Sequence, residues 1–148
     1  MEDNPMDDKL MKNQWEISSA IDEVAYYIDN KNLTKAMEVF SEDAHLEVFE
    51  DGKLTTVCDD KQAIQSVLAE KISNYDVIFH NNGTKMIDVK ALDQSATANT
   101  TCIAQLIRTE PTVNVWQTME YSDSFVKFNE NWYLVRRVIH ILSKSVRG

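Results

Sequence analysis

Glycine is scarce in this 148-residue chain: Gly52, Gly83 and Gly148 stand alone and far apart. Loops that cradle phosphates need several glycines close together, so the P-loop and dinucleotide fingerprints are excluded. Cysteine is scarcer still. Cys58 and Cys102 are too few for a disulfide framework and form no CxxC pair, which argues for a reducing compartment. Positive charge is also short, with 15 bases against 24 acids and a formal net charge of −9. That balance leaves no electrostatic footprint for nucleic acid or anionic lipid. No apolar run approaches the roughly 20 residues of a membrane span, and no GxSxG or HExxH motif occurs.

The opening residues MEDNPMDD are acidic where a secretory signal has a basic region and an apolar run, so the expected location is cytoplasmic. The sequons at Asn32, Asn82 and Asn99 then carry no glycan. His45-Leu46-Glu47 matches the HxE of zinc deaminases without their PCxxC partner, so no metal is expected. Residues 1–11 read as an acidic flexible tail, 12–142 as a single domain and 143–148 as a C-terminal tail.

Ile17, Ile21, Val24 and Ile28 recur at helical spacing and predict an amphipathic helix over 12–31. Leu33, Ala36, Met37 and Phe40 carry a short second helix. Two apolar runs flank Glu50-Asp51-Gly52-Lys53, a hairpin signal. Asp59 or Asp60 caps a third helix through about Asn74, with Ala63, Ile64, Val67, Leu68, Lys71 and Ile72 on one side. From Tyr75 the period changes to two, and β-branched and aromatic residues fill 75–80, 85–92, 95–107, 113–128 and 131–142, with turns at Asn81-Asn82-Gly83, Asp93-Gln94, Glu110-Pro111 and Asn129-Glu130. Helices leading into an antiparallel meander indicate an α+β fold. Segment 113–128 bears large residues on both faces, so a second copy of the chain is expected to cover the side the helices leave open, giving a homodimer through the sheet.

Titratable groups in segments that should line a helix–sheet cavity are Tyr27, Asp29, His80, Tyr121, Asp123 and His140. Each has a plain structural alternative. His80 could be a satisfied turn histidine, Asp29 could bond the amides leading into the second helix, and His140 could sit at the surface or the dimer seam.

The order of elements resembles the cone-shaped fold shared by nuclear transport factor 2, ketosteroid isomerase, scytalone dehydratase and the SnoaL-like polyketide cyclases. Tyr121-Ser122-Asp123-Ser124-Phe125, a turn, and Trp132-Tyr133-Leu134-Val135-Arg136-Arg137 are similar to the Y-x-D-x-aromatic, W-x-I-x-x-R ending of SnoaL-like domains. Tyr27-Ile28-Asp29-Asn30 and Phe40-Ser41-Glu42-Asp43-Ala44 resemble that group's opening. The resemblance implies a curved, mixed, mostly antiparallel sheet wrapped around three N-terminal helices. It also implies cofactor-free lyase or isomerase chemistry on a small apolar or aromatic carbonyl compound. By resemblance Asp29, His80 and Asp123 are the catalytic candidates, and Tyr27, Cys102, Met119 and Tyr121 the ligand-binding ones. Asp29 or His80 would be the base, and Asp123 a neutral acid that donates to an oxyanion. Val24 and Val48 stand where the isomerases carry their tyrosine and their base, and Ala104 near a dehydratase carboxylate, so the inherited set is incomplete. A non-catalytic ligand-binding protein and a protein-interaction module of the same fold are the alternatives.

Overall fold

The computed structural model describes residues 5–148. Helix α1 (Pro5–Asp29) and the single turn α2 (Leu33–Met37) come first. The hairpin β1 (Phe40–Glu50) and β2 (Lys53–Cys58) and helix α3 (Lys61–Ser73) follow. Four long strands complete the chain: β3 (Val77–Val89), β4 (Ser95–Thr109), β5 (Thr112–Phe128) and β6 (Asn131–Arg147). They form one six-stranded sheet in the order β2-β1-β6-β5-β4-β3. Every pairing is antiparallel except β1 with β6. The sheet is therefore mixed, with the meander at one end and the hairpin at the other.

Local chemistry accounts for the element ends. Asp51 and Gly52, both at positive φ, make the two-residue turn that pairs Glu50 with Lys53. Asp60 caps α3 by accepting the Ala63 amide at 2.8 Å. Asn129 and Glu130, again at positive φ, turn β5 into β6.

Several boundaries differ from the sequence reading. Helix α1 begins at Pro5, so residues 5–11 of the expected tail are helical; residues 1–4 lie outside the described residues. Proline suits a first helical turn, and Asp7 and Asp8 there complement the helix dipole. Residues 143–147 of the expected C-terminal tail extend β6, paired as far as Arg147 with Asn114. Phe40 opens β1 and does not end α2. Asn81-Asn82-Gly83 is no turn: β3 runs straight through it, with a register shift against β4 between Asn82 and Lys85. A Cβ on Gly83 would lie 2.7 Å from the Thr101 hydroxyl oxygen, which is why glycine occupies the bulge.

One face of α1 and one face of the sheet make the core. Ile17, Ile21 and Val24 pack with Phe125, Trp132 and Leu134, while α3 contributes Ile64. The inward positions of β4 opposite the helices are small (Ala96, Ala98, Thr100, Ala104), so α1 can lie close to the sheet there. Bulkier neighbours hold the helices off farther along, and the curved sheet encloses space.

Candidate functional site

A cavity of about 80 Å³ opens between α1, α3 and the inner face of the sheet. Most of its wall is aliphatic: Val24 and Ile28 from α1, Leu68 and Ile72 from α3, Ile78 and Leu106 from the sheet. Four polar side chains reach it: His80, Tyr121, Arg137 and Lys71.

His80 is directed by Asp29. The Asp29 carboxylate, on the last residue of α1, accepts the His80 backbone N–H through Oδ2 at 3.0 Å and meets His80 Nδ1 through Oδ1 at 2.6 Å. An ionised carboxylate only accepts, so Nδ1 donates the shared proton and Nε2 is the ring nitrogen turned away from Asp29. Asp29 thus bonds across to β3 instead of the local amides leading into α2, and His80 is a mid-strand residue, not a turn histidine. Ala104 stands opposite His80 in the ladder. Its small side chain leaves the ring room.

The second polar group comes from β5 and β6. Asp123 and Arg137 are register partners on the inner face. Both are almost completely buried, at 3% and 5% exposure. Arg137 Nε and Nη2 donate to the two Asp123 oxygens at 2.8 and 3.0 Å, a bidentate pair. The guanidinium also lies over the Tyr121 ring, 4.3 Å from its centroid. Burial alone would lower the Arg137 pKa, but the Asp123 carboxylate outweighs it and the net shift is upward. Burial, with the Cys102 thiol beside it, pushes the Tyr121 phenol well above its usual value, so Tyr121 stays neutral. Burial likewise raises the Cys102 thiol, which is therefore no thiolate nucleophile.

This geometry corrects two expected roles. Asp123 does not face the cavity to meet an oxyanion: both of its oxygens accept from Arg137 and it lies behind the wall, the partner of the cation that does face the cavity. Tyr27 and Cys102 do not line the cavity. Tyr27 borders a separate, polar surface groove with Glu23, Lys35 and Tyr133, and Cys102 sits behind Tyr121. Met119 and Tyr121 are in the wall, as are Val24 and Val48. His140 is on the outer sheet face, stacked on Phe49 at 5.2 Å. His45 bridges Glu47 and Asp59, each at 3.0 Å. Among the described residues no group of three or more His, Cys, Asp or Glu side chains is placed to hold a metal ion.

Two residues escaped the reading by sequence. Arg137 stood inside the ending that carries the resemblance, without an assigned role; its period-two spacing from Leu134-side neighbours is interrupted by a bulge, which hid its direction. Lys71 stood in the apolar stripe of α3, and a lysine among Ile64, Leu68 and Ile72 was the available signal.

Comparison with known proteins agrees with the fold. The SnoaL-like domain pattern matches residues 11–138. No curated protein matches the sequence. A scytalone dehydratase candidate from Novosphingobium aromaticivorans superposes with a TM-score of 0.83 at 18% identity, over 93% of this chain and 89% of its own. The hexachlorocyclohexane dehydrochlorinase LinA-type3 from Novosphingobium barchaimii superposes at 0.80 and 8% identity, over 96% and 94%. An NTF2-like protein with a cystatin-like fold, also from N. aromaticivorans, gives 0.74 at 17% identity, over 91% and 85%. Identities this low speak to the fold alone.

Proposed function

Because the chain belongs to the SnoaL-like domain family, we propose that it binds a small apolar or aromatic carbonyl compound in the cone cavity and moves a proton on it without a cofactor, as a lyase or isomerase. The observation that carries this reading is the 2.6 Å contact between Asp29 and His80 Nδ1, with His80 in the wall of an apolar cavity. Asp29 fixes the tautomer, His80 Nε2 takes a proton from carbon, and the Arg137 guanidinium stabilises the oxyanion that develops. Low polarity around these groups strengthens each electrostatic contact. The names of two fold neighbours, a dehydratase and a dehydrochlorinase, belong to eliminations of this general kind and support the class of reaction.

The test is deuterium incorporation from D2O at the acidic C–H of a panel of aryl ketones and enals, read by mass spectrometry. His80→Gln should lower wild-type exchange by about 10²- to 10⁴-fold. Unchanged exchange in that variant would remove His80 from the reaction. Absence of exchange with the wild type across the panel would favour the non-catalytic ligand-binding alternative, which Val24 and Val48 in the wall suit because neither side chain has an acid or base group.

The protein also acts as a cytoplasmic homodimer in this proposal. Phe79, Ile103 and Trp116 are 55%, 49% and 46% exposed on the outer face of adjacent strands, and a second copy would cover them. Light scattering should give twice the monomer mass for the wild type and the monomer mass for Trp116→Asp. No helix among the described residues is long and apolar enough to cross a membrane.

A further inference from the structure

The charges that meet the cavity are unevenly balanced. Arg137 is neutralised by Asp123, and the Asp29 carboxylate is turned toward the ring and amide of His80. Lys71 differs from both. It lines the cavity from α3, yet its side chain makes no hydrogen bond or ion pair with any described residue. The charged groups acting on it are Lys144 of β6 and Glu50 of β1, and Glu50 is already engaged with Lys144 at 3.4 Å. Two ammonium groups therefore face one carboxylate, which leaves one positive charge over at that edge.

A lysine on a solvated helix face would have polar neighbours on its own stripe. Ile64, Leu68 and Ile72, which share the stripe with Lys71, are all in the cavity wall. The residue as a whole is exposed, so part of the side chain reaches water while its stripe lies against the cavity. Desolvation by its apolar surroundings, and then the Lys144 ammonium, nevertheless hold its pKa below the ordinary lysine range against the pull of Glu50. A cation in that position is stabilised by any anion that arrives with an apolar body to fill the space beside it.

We infer that the ligand is an amphipathic anion, whose apolar part occupies the cavity and whose carboxylate is held by Lys71. This rests on the small-ligand reading above and narrows it from carbonyl compounds in general to those that also bear a negative charge. Recognition comes from Lys71 as a specificity-determining residue, since it sits on a different element from the His80 dyad and makes no contact with it.

Titration calorimetry with cinnamate and its neutral isostere cinnamamide separates the possibilities. Wild type should bind cinnamate at least about tenfold more tightly than the amide, the size of effect expected for one charge-assisted contact. Lys71→Met should abolish that preference by weakening cinnamate while leaving the amide unchanged, and Lys71→Arg should keep it. Glu50→Gln, by removing the competing carboxylate, should strengthen cinnamate. Thermal melting of each variant checks that it is folded. Equal binding of the two compounds by the wild type, or a preference that survives Lys71→Met, would overturn the anion inference and leave the cavity reading standing. Binding of neither compound would overturn both.

Discussion

The cavity has two aspartates behind it, and they serve opposite ends. At the junction of α1 and β3, Asp29 is half-buried and holds a histidine whose other nitrogen stays free. At the junction of β5 and β6, Asp123 is fully enclosed and commits both oxygens to one arginine. In the proposed function the first arrangement would orient a group for proton transfer; the second pairs a buried carboxylate with a buried guanidinium. A carboxylate beside a titratable partner makes a reactive pair, whereas one beside a guanidinium, which never gives up its proton, makes an electrostatic fixture.

Removing one partner from the second pair should produce the largest effect on stability. Arg137→Met leaves Asp123 buried without a counter-charge and should lower unfolding free energy by about 3–5 kcal/mol, read by chemical denaturation. The double variant Asp123→Leu with Arg137→Met should recover most of that loss, because two apolar side chains of similar volume carry no desolvation penalty. Losses that simply add would show that the two side chains do not act as a pair. At the other aspartate the effect should move from stability to rate. Asp29→Asn should cost only about 1–2 kcal/mol of stability, since the pair is partly hydrated, while lowering deuterium exchange by orders of magnitude through the wrong histidine tautomer. The ring ¹⁵N shifts of His80 should then report loss of the Nδ1–H form. A variant that unfolds instead would make Asp29 a structural residue like Asp123.

Much of the fold was legible because it rests on local chemistry. The stripe Ile17, Ile21, Val24, Ile28 announced α1, Asp51-Gly52 announced the first hairpin, and Asp60 announced the start of α3. Errors gathered where local signals were ambiguous. Asn81-Asn82-Gly83 has the composition of a turn, yet the close approach of Thr101 makes it a bulge inside one long strand. The acidic residues after Pro5 resemble a solvated tail, yet acids are what the first turn of a helix favours.

The candidate site was legible only in part. Asp29 and His80 were each singled out, but nothing local joins residues 51 positions apart. Asp123 was placed on the correct strand and given the wrong partner environment, because which side chain an aspartate meets depends on what lies across the ladder. Tyr27 borders the apolar stripe of α1 and packs against the core, but it lines the polar groove beside α2 and not the cavity.

The sequence by itself determined the order of helices and strands and the apolar face of α1, though not every element's ends, since these follow from spacing, caps and turn residues within a few positions of one another. Tertiary structure alone decided that Asp29 meets His80, that Asp123 is spent on Arg137, and that Lys71 ends at an apolar cavity with no ion pair among the described residues. Those outcomes depend on ladder register and on the angle at which helices cross a curved sheet. Both are set by the packing of the whole chain, where a shift of one residue along a strand turns a side chain from the cavity to the outer face.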